Sequence, residues 1–187
     1  LPAGRLDALE AGALPHAAGY RLRSWRGPCP AGGEAAVAAL MARMSTDAPR
    51  GGLSVEPETW DAARVRAGEE RFGAQGRRWW TAVAEAPDGR LVGYTQLVHG
   101  RDEPERLWQW DTLVVREHRG HRLGLLLKVA ALRLATADVP GARRVTTWNA
   151  VVNAPMIAVN EAIGFRLDEL VEDREADVDA VLAALQR

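Results

Sequence analysis

The chain has 187 residues, 47% hydrophobic and 26% charged, with a formal net charge of −1. That size and balance suit one globular domain with a sizeable core and exclude a generally basic, nucleic-acid-binding surface. One cysteine, Cys29, excludes an intrachain disulfide, and four histidines without ligand spacing give no reason to expect a metal. No apolar run of about eighteen residues and no basic-then-apolar leader occurs, so no membrane partner and a cytoplasmic location are expected.

Residues 1–19, rich in Ala, Gly and Pro, read as a lead-in or an interdomain linker. Tyr20 to Trp25 alternates and predicts the first strand. Ala35 to Met44 predicts a helix, followed by a loop from Ser45 to Gly52. A second helix is expected after Pro57, with Glu58, Trp60 and Asp61 in its first turn, running to about Gly73. Two apolar runs, 79–84 and 91–98, flank Asp88-Gly89, which is a hairpin signal. A third strand is predicted over 107–115, then a helix from about Arg122 to Ala137 and a strand over 144–148. A helix over 154–162 and a short strand over 165–171 follow. Residues 172–187 read as a helical tail, and there is no internal repeat.

The region from Leu107 to Phe165 carries the chemistry. An apolar strand runs through Arg116 to Gly124, a basic turn containing glycine, into an apolar helix. Backbone amides in such a turn and in a first helical turn lack intrahelical acceptors, so they can face a phosphate. Trp148-Asn149-Ala150 through Asn153 and Ile163-Gly164-Phe165 follow about thirty residues later.

This arrangement resembles the GNAT superfamily of acyl-CoA-dependent N-acetyltransferases. Their cofactor signature falls on Arg119, Arg122 and Gly124, with Val114 five residues upstream. Their Asn…Gly-Phe run falls on Asn153, Asn160, Gly164 and Phe165. Arg122 stands where the family usually has glycine, and Asn160 where it often has a tyrosine general acid. The wording of the motif is most similar to actinobacterial members, including second halves of tandem proteins. The resemblance implies an α/β fold, a mixed β-sheet flanked by helices on both faces, over residues 20–171.

It also implies acetyl-CoA as co-substrate. The turn Arg119-Gly120-His121-Arg122-Leu123-Gly124 would hold the pyrophosphate, with Arg122 tolerable there at negative φ. Thr112, Leu113 and Val114 would pair with the pantetheine arm, an amide near Leu113 polarising the thioester. Asn153 and Asn160 are further cofactor candidates, although Asn153 precedes a helix and reads equally as its N-cap.

An amine nucleophile must shed its proton. With a pKa of ~10.4, only about one lysine-like amine in 2,500 is neutral at pH 7, a penalty of ~4.6 kcal/mol. Asp111, just before the thioester position, is the candidate base, or it bonds neighbouring backbone instead. Glu161 is a weaker candidate. Asn160 cannot act as an acid, but a thiol leaving group with pKa ~8.5 needs little help; Asn160 remains a candidate for bonding the sulfur. Gln109, read on the same strand face, would orient a water. Trp110, Trp148, Asn149 and Asp47 are candidates for binding the acceptor, Asp47 by attracting its ammonium group. The function expected is acetylation of a small-molecule amine, with a second GNAT domain or a homodimer as a possible partner. The rival reading is a non-catalytic acyl-CoA-binding module or the structural half of a tandem protein.

Overall fold

The computed structural model describes residues 3–47, 56–172, 174 and 176–185. Five strands lie in chain order across one sheet: β1 (Arg21–Arg26), β2 (Arg78–Glu85), β3 (Leu91–His99), β4 (Arg106–Val114) and β5 (Arg144–Thr146). The first four form an antiparallel meander and β5 joins β4 in parallel. The helices are α1 (Ala3–Ala13), α2 (Glu34–Asp47), α3 (Ala62–Ala74), α4 (Leu123–Asp138), α5 (Ala154–Ile163) and α6 (Val178–Leu185). The helix α4 makes the crossover that a parallel β4–β5 pair requires.

β2 and β3 are buried along almost their whole length rather than at alternate residues, because helices cover both faces of the sheet. Gly93, Thr95 and Leu97 share a face with Ala84, Ala82 and Trp80 opposite them. That face meets α4: a Cβ on Gly93 would lie 3.2 Å from the Leu127 side chain. On the other face Thr81 and Gln96 look toward Val37 and Met41 of α2 and Val65 and Phe72 of α3. The mixed sheet between two helical layers is the architecture expected.

Gly93 is a position where only glycine fits. A Cβ there would also stand 2.9 Å from the Leu113 carbonyl oxygen, which is backbone and cannot swing away. Gly93→Ala is expected to destabilise the fold by about 1–3 kcal/mol, the usual range for overpacking. Urea unfolding of the variant, checked for an unchanged m-value, measures it.

Asp88-Gly89 closes the β2–β3 hairpin, with the Gly89 amide donating to the Ala86 carbonyl (2.9 Å) and Gly89 at φ +85°. Four expectations differ from what is observed. Residues 3–17, read as a lead-in, form α1 and a 3₁₀ turn (Leu14–Ala17), and Leu6, Ala13 and Ala17 are core residues. Arg5 donates to the Ala162 carbonyl and Arg133 pairs with Asp7 and Glu10, so α1 is tied across α4 and α5. The helix α3 starts four residues later than expected, because the Asp61 carboxylate accepts from the Arg64 amide (2.7 Å) and caps it. Residues 165–171 form no strand; Leu167, Leu170 and Val171 are exposed. The expected loop after Ser45 starts only after Asp47, where α2 ends, and residues 48–55 lie outside those described.

Candidate active site

β4 carries an irregularity on which the site depends. Thr112 opposes Thr95 and Gln109 opposes Leu97, so three steps along β4 match two along β3. The extra residue, at Trp110 and Asp111, is a β-bulge, which shifts the side-chain phase of everything after it. Gln109 and Thr112 therefore share the α4 face, while Asp111 looks to the α2–α3 face.

Two further consequences follow at the sheet edge. β5 pairs with β4 only from Arg106 to Trp108, and its last tie is the Thr147 hydroxyl donating to the Gln109 carbonyl (3.1 Å). Beyond that point no strand among the described residues lies on the outer side of β4. The Val115 amide donates to Val92 (3.0 Å). Alternation in an antiparallel ladder then turns Leu113 toward β3, and the amides of Thr112 and Val114 toward the open edge. Of the amides near Leu113, those of Thr112 and Val114 thus face the open edge, and that of Leu113 itself does not.

The turn after β4 begins with a 3₁₀ segment, Arg116–His118. No backbone carbonyl among the described residues accepts from the amides of Gly120, His121, Arg122, Leu123 or Gly124. These five amides and the N-terminus of α4 form a concentration of unpaired donors. Gly120 has φ +86°, a value that glycine takes without cost. Arg122 reads as tolerable in the turn at negative φ; it sits instead at φ +54°, the one non-glycine residue with positive φ among those described. Its guanidinium reaches the Gly12 carbonyl at the end of α1 (3.4 Å), and the His121 ring bonds the His16 carbonyl (3.1 Å). Arg119 donates to the carbonyls of Val114 and Asp47 (both 3.0 Å). These side-chain contacts tie the turn to the segments holding Gly12, His16, Asp47 and Val114 and leave those five backbone amides unpaired.

On the α2–α3 face, a cavity of about 200 Å³ opens over the bulge. Trp110 and Asp111 form its floor with Gln96 and Thr81. Asp111 accepts a hydrogen bond from the Tyr94 hydroxyl (3.1 Å). Burial, and then the negative charge of Asp111, push the Tyr94 phenol far above its ordinary value, so it stays a donor. Tyr94 and the aromatic walls from Trp25, Trp60, Phe72 and Trp79 were not singled out from sequence for this site. Trp25, Trp79 and Tyr94 belong to β1, β2 and β3, and Trp60 and Phe72 to the segment before α3 and to α3, so only the folded sheet and helix together bring them to one place.

Other candidates fall elsewhere. Gln109 is buried on the α4 face, donating to the Thr95 hydroxyl (2.9 Å) and the Gln96 carbonyl (2.8 Å), so the bulge separates it from Asp111. Asp47 is held by Arg43 (2.7 Å), which lowers its carboxyl pKa, and it does not line the cavity. Trp148 is 61% exposed and stacked flat on Trp108 (ring centroids 4.9 Å apart), away from the cavity lining. Asn153 caps α5, its side chain accepting from the Met156 amide (3.4 Å). Asn160, 4% exposed, donates to Asn149 (2.6 Å), and its own Oδ1 has no partner among the described residues. Glu161 is exposed on α5.

Among the described residues no group of three or more His, Cys, Asp or Glu side chains is placed to hold a metal ion. No helix among them is long and apolar enough to cross a membrane.

No curated protein matches the chain. A solved tandem GNAT protein from the clavulanic acid biosynthesis pathway, without AcCoA, is 35% identical over 79% of this chain, with a TM-score of 0.64. The match covers 42% of that protein, so this chain spans about two fifths of its length. The yncA protein of Salmonella typhimurium, solved with acetyl-CoA, shares the fold at 17% identity and a TM-score of 0.62, over 81% of this chain and 82% of its own. AAC(6')-Iy in complex with a bisubstrate analogue shares it at 16% identity and a TM-score of 0.57, over 84% of this chain and 99% of its own. The sequence profile of the Acetyltransferase (GNAT) family matches residues 40–165, a span that takes in the bulge, the open edge of β4 and the amide-rich turn. With two thirds of its length inside that profile, the chain belongs to the GNAT acetyltransferase family.

Proposed function

We propose that this protein transfers the acetyl group of acetyl-CoA to the amine of a small molecule, by direct attack of the amine on the thioester. The observation that carries this reading is the β4 bulge, which places an open strand edge beside a carboxylate in a cavity. The Thr112 and Val114 amides supply unpaired donors for the pantetheine amides and the thioester oxygen, and the amides of Gly120 to Gly124 supply them for the pyrophosphate. A donor fixed at the developing oxyanion accelerates acyl transfer because it costs no reorganisation during the reaction.

In the step itself, the amine lone pair forms the new N–C bond and the C–S bond breaks, with the electron pair leaving on sulfur. The amine gives up a proton, to Asp111 directly or through water, and the thiolate takes one from solvent. Asn160 lies where much of the family carries a tyrosine. It supplies a hydrogen-bonding amide rather than a proton, which suffices for a leaving group as acidic as a thiol. The test is release of free CoA thiol on mixing the full chain with acetyl-CoA and a panel of amines. The proposal expects amine-dependent thiol release.

Asn160 also favours a second reading, a domain that binds acyl-CoA without turning it over, such as one half of a tandem protein. Under that reading CoA binds and no amine releases thiol.

The pyrophosphate site gives a separate prediction. A Cβ at Gly124 would stand 4.0 Å from Val114 Cγ2, an ordinary van der Waals distance, so the backbone tolerates a side chain. Gly124→Val is therefore expected to fold and to weaken CoA binding at least tenfold, by holding the phosphates off the amides. Calorimetric titration with CoA, beside a circular dichroism spectrum, measures both.

A further inference from the structure

We propose that the acceptor is a small aromatic amine, a flat ring carrying a primary amine on a short arm, seated in the cavity over the bulge with its ammonium end at Asp111. This rests on the acetyl-transfer reading above and adds the substrate class to it.

The walls carry the argument. Trp25 comes from β1, Trp60 from the segment before α3, Phe72 from α3, Trp79 from β2 and Trp110 from β4. Four of the chain's seven tryptophans thus converge on one cavity of about 200 Å³. Phe72 meets Trp79 edge-on at 5.5 Å between ring centroids and Trp110 edge-on at 4.9 Å. A ring entering this cluster continues the same edge-to-face packing, which aromatic groups prefer over a face-to-face sandwich.

Among the described residues of the lining, two polar groups are committed to the protein, while the buried Trp25 indole N–H has no partner. The Gln96 amide donates to the Thr81 hydroxyl (3.2 Å), and Glu69 accepts from the Cys29 amide (2.6 Å) and from Arg66 (2.9 Å). The described lining is mostly aromatic and apolar, so the hydroxyls of a polyhydroxylated acceptor buried there would lose water without full replacement. Asp111 lines the same cavity and accepts from the Tyr94 hydroxyl, so a carboxylate faces the space where an ammonium group would sit. The aromatic faces already attract cations. The Arg77 guanidinium lies 5.5 Å from the Phe72 ring centroid and 5.6 Å from that of Trp110. Arg71, the cation in the lining, is exposed to solvent, where its charge is screened. Size narrows the class further. Cavities for drug-sized ligands run to roughly 300–1,000 Å³, so this one takes a single or fused ring with a short arm and not an aminosugar of several rings.

The experiment is direct binding to the full chain, followed by its tryptophan fluorescence in the presence of CoA, which cannot react. Phenethylamine and tyramine are compared with glucosamine and with an aminoglycoside. Saturable quenching by the aromatic amines, at least tenfold tighter than by either sugar, is the expected result. Trp110→Leu and Phe72→Leu, each checked for folding by circular dichroism, should each weaken that binding at least fivefold. Tighter binding of a sugar, no saturable binding of the aromatic amines, or undiminished affinity in both folded variants would overturn the proposal. Binding is read without turnover, so the two readings separate. Aromatic amines that bind but release no thiol from acetyl-CoA would sink the transfer reading alone. Thiol release with glucosamine but no binding of aromatic amines would sink the substrate class alone.

Discussion

Asp111→Asn is expected to lower turnover on the acceptor by ~10²–10⁴, the usual span for loss of a general base. The Michaelis constant for acetyl-CoA should change little. Asparagine keeps the shape of the side chain and an oxygen that accepts from Tyr94, so the cavity floor survives the substitution. What disappears is the capacity to take a proton from the attacking amine. Of the acidic candidates considered from sequence, Asp111 alone lines the cavity. Asp47 is tied up by Arg43, and Glu161 is exposed on α5. Steady-state kinetics across a range of amine concentrations separates a loss of turnover from a loss of binding. Full activity in the variant would place the base elsewhere, an ordered water being the next candidate.

Lys128→Met is expected to stabilise the protein at pH 7 by about 2–4 kcal/mol. Lys128 is the chain's one lysine and is 1% exposed on α4. Among the described residues its ammonium group meets no carboxylate; the contact it has is the Phe165 ring, 5.9 Å from its centroid. Burial depresses its pKa from 10.5 to about 7. At 1.36 kcal/mol per unit such a shift corresponds to roughly 4–5 kcal/mol at low pH, which the cation–π contact partly offsets. Because the folded pKa lies below the unfolded one, the cost is full below pH 7, declines as pH rises toward 10.5, and is absent above it. Methionine matches the length and removes the charge, so its advantage should shrink along the same window. Urea unfolding of both proteins at pH 6.5, 8 and 9.5 measures this. No gain at pH 6.5, or a gain that grows with pH, would contradict it.

The parts of the fold that were legible in the sequence are those encoded locally. Asp88-Gly89 closes its hairpin, the apolar runs on either side become β2 and β3, and the crossover helix begins within one residue of the expected start. The turn motif was legible as well, because glycine at 120 and 124 and basic residues between them are a local signature. What was not legible depends on partners distant in the chain. Nothing in Trp110-Asp111 marks a bulge, since neither residue is glycine or proline; it becomes visible only in the register against β3. That one inserted residue sends Gln109 to the α4 face and so undoes its expected place beside Asp111. Residues 165–171 have apolar side chains like a strand's, but pairing needs a neighbour, and none is provided. The Ala-rich start reads as a linker by composition, yet its few apolar residues find a surface on the domain. Arg122 in the left-handed region is held by a contact 110 residues away, at Gly12.

Calorimetric titration of the full chain with acetyl-CoA tests the central claim most directly. The account predicts saturable binding near one molecule per chain, weakened at least tenfold in Gly124→Val and nearly unchanged in Asp111→Asn. Absence of binding at millimolar acetyl-CoA, or equal affinity in a folded Gly124→Val variant, would contradict it.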